Sequence, residues 1–82
     1  MHIKVCMIDM HGAKSLRVVI YPKDHDPPHV HVLGPDMEAK FLLDSLECVY
    51  SRGFSEKALR QVRDYLKGKK AFLLEAWSEY QE

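Results

Sequence analysis

The chain has 82 residues, 46% hydrophobic, 10% aromatic and 29% charged, and its twelve basic residues balance twelve acidic ones. That composition is globular, and so short a chain makes one domain that buries about 60% of the surface its unfolded form exposes. Zero net charge speaks against a dedicated nucleic-acid-coating protein and leaves local patches to be judged one at a time.

In "HIKVCMID", Ile3, Val5 and Met7 alternate with Lys4 and Cys6, the period-two pattern of a strand. "HGAK" follows with a turn glycine at Gly12, so a hairpin into "LRVVIY" is expected. There Val18 and Ile20 share one side, and Arg17, Val19 and Tyr21 the other. "KDHDPPHVHV" comes next and carries three of the five histidines. Pro27 and Pro28 fix φ and remove two backbone donors, so they cannot lie inside a central strand. Pro27 also pushes Asp26 out of helical geometry. The segment is a stiff, extended lead into the strand "HVHVL", whose alternation puts His29 and His31 on one face and Val30 and Val32 on the other. With the valines in the core, both imidazoles face solvent or a groove.

"GPD" is a turn with Pro35 where its fixed φ is suited. "MEAKFLL" puts Met37, Ala39, Phe41 and Leu43 on one face against Glu38 and Lys40, and "LECVY" puts Leu46, Cys48 and Tyr50 on one side. The period then changes. Gly53 turns the chain, Ser55 caps a helix with Glu56 beside its dipole, and Phe54 and Leu59 occupy the two positions of a hydrophobic staple. Leu59, Val62 and Leu66 repeat at helical spacing up to Gly68, a natural stop, and "KKAFLLEAWSEY" resumes the period with Leu73, Ala76, Trp77 and Tyr80. Lys69 and Lys70 begin this second helix and Glu79 and Glu82 end it, against the dipole, at a cost small enough to need no special role.

The expectation is a single α+β domain, residues 1–82, with an antiparallel sheet of four to five short strands and two C-terminal helices packed on one face. Cys6 and Cys48 form no C-x-x-C pair and read as buried, reduced thiols. No apolar run approaches a membrane span and no secretory signal pattern opens the chain, so a soluble cytoplasmic protein is expected. A core of this size leaves room for a partner or a homo-oligomer to bury more surface.

Three readings of the histidine segment stay open on spacing alone. His29 and His31, joined by His25 or Asp24, would supply three metal ligands with an open position, suited to zinc, iron or manganese. Metal-free acid–base work is the second, since imidazole titrates near neutral pH and Asp24 or Asp26 would orient a ring. The third is an outer strand face in need of polar residues. No Cys/His or Ser/His signature and no glycine-rich phosphate loop accompanies the segment. A basic stripe, Lys57, Arg60 and Lys67 with Arg63 at its border, would grip phosphates or an acidic partner. Asp64 interrupts it and Glu56 stands four residues before Arg60, so a solvated helix face is the simpler account. Tyr65, Phe72, Trp77 and Tyr80 read first as core-lining.

From about Arg17 to Tyr80 the chain resembles the domain-of-unknown-function family 4160, through "IYPKDHDPPHVHV", "EAKFLLDSLECVYSRGFS" and "LLEAWSEY" in that order. Asp24, His25, Pro27, Pro28, His29 and His31 match the family's most distinctive motif. The resemblance implies a small α+β protein, often encoded beside a second small protein in an arrangement similar to bacterial toxin–antitoxin pairs. It carries no established catalytic role. The leading expectation is therefore a toxin-like component neutralised by a small antitoxin-like partner and acting on RNA, with Asp24, His25, His29 and His31 as acid–base or phosphate-contacting groups and the basic stripe of α-helical residues Lys57, Arg60, Arg63 and Lys67 as an auxiliary grip. A metal-binding enzyme or sensor built on His25, His29 and His31, with zinc or manganese, is one alternative, and a non-enzymatic protein-binding adaptor is the other.

Overall fold

Five strands precede two helices: β1 (Ile3–Ile8), β2 (Leu16–Ile20), β3 (His29–Gly34), β4 (Met37–Leu42), β5 (Cys48–Arg52), α1 (Glu56–Gly68) and α2 (Lys70–Tyr80). This computed structural model describes residues 3–8, 16–21 and 27–80. The Gly12 turn, Asp24, His25, Asp26 and Glu82 lie outside the described residues. The strands form one antiparallel sheet in the order β1-β2-β3-β4-β5. It is an α+β fold, the meander that short strands joined by turns imply.

Pro35 and Asp36 form the β3–β4 turn, and Asp36 takes φ 56°, the positive value that a type II turn, one of the two that favour proline at the first central position, has at its second. A two-residue loop fixes the register: Gly34 pairs with Met37, Leu33 with Glu38, His31 with Lys40 and His29 with Leu42. Val30, Val32, Ala39, Phe41 and Leu43 are thereby fully buried under the helices. Leu16, Val18 and Ile20 of β2 join them, and α1 and α2 close the layer with Val62, Leu66, Leu73, Ala76 and Trp77.

Both edge strands break the simple alternation. The pairing of β1 shifts between Lys4 and Cys6, so Cys6 and Ile8 stand opposite the core residues Val18 and Leu16 while Met7 stands opposite Arg17. The expected grouping of Ile3, Val5 and Met7 is thus replaced by a bulge at Val5. In β5, Tyr50 pairs with Lys40 but Cys48 pairs with Phe41. Val49 is the extra residue there, and Cys48 lies on the helix side with Tyr50 on the opposite side. The expected common side for Leu46, Cys48 and Tyr50 is corrected accordingly.

Ser55 caps α1, its Oγ accepting the Ala58 N–H at 3.1 Å, and Phe54 and Leu59 both pack on the core. Gly68 is the stop the sequence suggests, although it takes no left-handed conformation. It is the last residue of α1, and Lys69 caps the helix at φ −112° before α2 begins. Lys70 also gains a definite role, since its Nζ donates to the Asp44 carbonyl at 2.6 Å and holds the β4–β5 loop against α2. Trp77 is buried and Tyr65 half-buried, but Phe72 is 53% exposed and is not core-lining. The Tyr80 side chain lies outside the described residues. No helix among the described residues is long and apolar enough to cross a membrane.

Candidate functional site

The two prolines before β3 donate no hydrogen bonds, but both of their carbonyls are used. The Leu43 N–H donates to the Pro28 carbonyl at 2.9 Å, tying the start of β3 to the end of β4. The Pro27 carbonyl stands 2.9 Å from Nδ1 of His29. A carbonyl oxygen can only accept, so Nδ1 carries the proton, and in the neutral ring Nε2 carries the lone pair. β3 begins immediately after the prolines and runs as the middle strand of the sheet. The stiff lead therefore stays out of the ladder, as its missing donors require.

His29 and His31 do share a face, with ring centroids 5.3 Å apart at an interplanar angle of 71°. They do not both face solvent or a groove. His29 is 4% exposed, and Trp77 reaches from α2 to the end of the sheet to lie 4.9 Å from it, centroid to centroid. A buried ring with its N–H satisfied is stable there, because desolvation is offset by the bond to Pro27. His31 is the more accessible imidazole, its side chain 17% exposed. Tyr21 meets it edge-on, with centroids 4.6 Å apart and planes at 88°. The rings form a continuous chain, Trp77–His29–His31–Tyr21.

Glu38 completes the arrangement. It lies diagonally across the β3–β4 ladder from His31, and its Oε2 is 3.7 Å from His31 Nδ1. Its Oε1 is 3.8 Å from Arg52 Nη2 on β5, the residue directly opposite it. Arg52 also donates through Nη1 to the Asp36 carbonyl at 3.4 Å. A carboxylate placed between an arginine and an imidazole can orient the ring and balance its charge when it takes up a proton.

His25 and Asp24, the residues on which a three-ligand metal site depends, lie outside the described residues. Among the described residues no group of three histidine, cysteine or acidic side chains is placed to hold a metal. The basic stripe is a separate feature. Arg60 and Arg63 line a cleft with Cys48 and Ser51 on the helix side of the sheet, whereas His31 and Glu38 lie on the other side. Lys57 and Lys67 are exposed on α1. The cations near His31 are Lys40, its partner in the ladder, and Arg52 beyond Glu38. Cys48 is a free thiol, only half-buried, that packs against the core and also lines the cleft, and its Sγ donates to the Tyr50 carbonyl at 3.2 Å. Glu56 also lines the cleft, and Glu38 stands within 4 Å of both His31 and Arg52, an ion pair with Arg52 and with His31 only when that ring is protonated.

Sequence reasoning placed Glu38 and Tyr21 only as polar-side residues. Glu38 was within reach of it: once Pro35–Asp36 is taken as a two-residue turn, every β3–β4 partner follows, and Glu38 falls diagonal to His31. Trp77 was not, because which side chain reaches the sheet end depends on how α2 docks.

The chain belongs to the family described as a domain of unknown function (DUF4160), whose profile matches residues 16–78. No curated protein and no solved structure matches it.

Proposed function

We propose that this DUF4160 member is the toxin-like component of a bacterial toxin–antitoxin pair, a small cytoplasmic protein acting on RNA and neutralised by a small partner protein. The observation that carries the acid–base part is His31, partly accessible and backed by Glu38 at 3.7 Å. An imidazole so placed can take the proton of a ribose 2′-hydroxyl as that oxygen attacks the adjacent phosphate; the P–O5′ bond breaks, the 5′-oxygen leaves with a proton from water, and a 2′,3′-cyclic phosphate remains, chemistry that RNA offers and DNA does not. His29 acts as a positioning residue: buried between Trp77 and His31, it fixes the second ring and does not meet substrate. Lys40 and Arg52, on the same side as His31, take the phosphate-contacting role expected of the helix stripe.

Induced expression tests this. Growth arrest that the neighbouring small protein relieves, and that His31→Gln abolishes at equal soluble yield, is the expected result. Normal growth at high soluble expression of the unaltered chain would contradict it.

A metal-binding enzyme or sensor is the second reading, favoured by the His29 tautomer. Ligating histidines commonly donate their other ring N–H to a carbonyl, as His29 does to Pro27. His31 and the undescribed His25 would then complete the set. Stoichiometric zinc or manganese in protein purified without an affinity tag supports this reading. Substoichiometric metal, with no change in melting temperature on adding either ion, removes it.

A further inference from the structure

On the side of the sheet away from His31, a cleft of about 390 Å³ opens between β5 and α1, lined by Cys48, Ser51, Glu56, Leu59, Arg60 and Arg63. The Val49 bulge builds it. Without the extra residue, Cys48 and Ser51 would fall on opposite sides of β5, and with it both turn toward the helix. Arg63 is held in place, its Nε donating to the Leu46 carbonyl at 3.1 Å, so its guanidinium is set at the cleft before any ligand arrives. That carbonyl is itself fixed by a left-handed turn, Leu46 taking φ 61° while its side chain stays in the core.

Beside the cleft runs a sheet edge. Among the described residues β5 has β4 on one side and no strand on the other, and Val49 and Tyr50 are each 49% exposed, high for apolar side chains. The cleft is basic in a chain of zero net charge: Arg60 and Arg63 stand against the single acid Glu56 among its lining residues. We propose that β5 and the cleft behind it dock an extended acidic segment of a partner protein, laid along Tyr50–Arg52 with carboxylate side chains entering toward Arg60 and Arg63.

An added strand turns every second side chain to the helix side, which suits a segment alternating acidic and apolar residues. Arginine pairs with carboxylates in forked geometry, and Leu59 supplies apolar contact in the same cleft. Other occupants fit less well. RNA would find no aromatic ring among the lining residues to stack on. A second copy would bring its own Arg60 and Arg63 against this pair. The proposal requires no RNA chemistry and stands even if the protein arrests no growth.

The thiol of Cys48 reports occupancy, since a filled cleft shields it from alkylation. The probe is a capped synthetic peptide of alternating glutamate and valine, and the readout is the rate of iodoacetamide labelling at Cys48, followed by mass mapping of the peptide that carries it. Saturating peptide is expected to slow labelling by roughly fivefold or more, the factor that occupancy at a few times Kd produces. The lysine–valine counterpart should give no protection. Arg60→Glu, an exposed change that leaves the Arg63–Leu46 bond intact, should abolish protection without moving the melting temperature. The proposal is overturned if the glutamate peptide gives no protection or if Arg60→Glu keeps it. It is equally overturned if a polyuridine oligonucleotide shields Cys48 as well, or if shielding rises with protein concentration in the absence of peptide.

Discussion

Gly53 takes φ +83°, and a Cβ there would lie 2.7 Å from the Asp36 carbonyl oxygen, which is backbone and cannot swing away. Gly53→Ala is therefore expected to destabilise the fold by about 2–3 kcal/mol, combining left-handed strain with displacement of the β3–β4 turn. A lower urea midpoint at unchanged slope is the measurement. Gly68 behaves oppositely. Beyond its chain neighbours and the backbone of its own helix, no atom lies within 4 Å of a Cβ built there and its φ is not positive, so Gly68→Ala should stabilise α1 by about 0.5–1 kcal/mol. If both alanines destabilise equally, the difference assigned to the two glycines is wrong. At the same scale the two histidines separate: neighbours in sequence pattern, they differ in burial because one of them meets Trp77.

The elements were legible where sequence chemistry acts locally. Ser55, Glu56 and the Phe54–Leu59 pair marked the start of α1, and the Ser55 cap is present, so Ser55→Ala should cost about 1 kcal/mol in chemical denaturation. Pro35 with Asp36 marked the central hairpin, and the proline pair marked the residue at which β3 begins. The edge strands were not legible in detail. A bulge is one extra residue that leaves the local pattern intact but inverts everything beyond it, and neither Val5 nor Val49 differs in type from an ordinary strand valine. Phe72 was misread for a related reason. Helical spacing gives a stripe, but α2 follows α1 after the single residue Lys69, and the docking that results exposes Phe72 while burying Trp77. Removing that anchor, Trp77→Ala, should cost about 3–5 kcal/mol and loosen the packing around His29.

Across the whole molecule the sheet separates two sets of functional groups. One side carries His31, Glu38, Lys40 and Arg52, with His29 behind them, and the other carries the Cys48 cleft with Arg60 and Arg63. Sequence reasoning had joined the histidines and the helix stripe into one site, since neither spacing nor charge says which side of a sheet a later helix will cover. The proposed reactive face and the proposed docking cleft can thus be probed at separate residues, His31 on one side and Arg60 on the other, with Arg52 at the edge common to both proposals.

The central claim is that the histidine motif holds one structural ring and one working ring. The direct measurement compares His29→Gln with His31→Gln, each by melting temperature and by growth on induced expression at equal soluble yield. The account predicts that His29→Gln loses about 2–3 kcal/mol, lowering the melting temperature by roughly 10–20 °C. His31→Gln is expected to melt within a few degrees of the unaltered chain and to lose the growth effect. A His31→Gln protein that still arrests growth, or a His29→Gln protein as stable as the original, would contradict it.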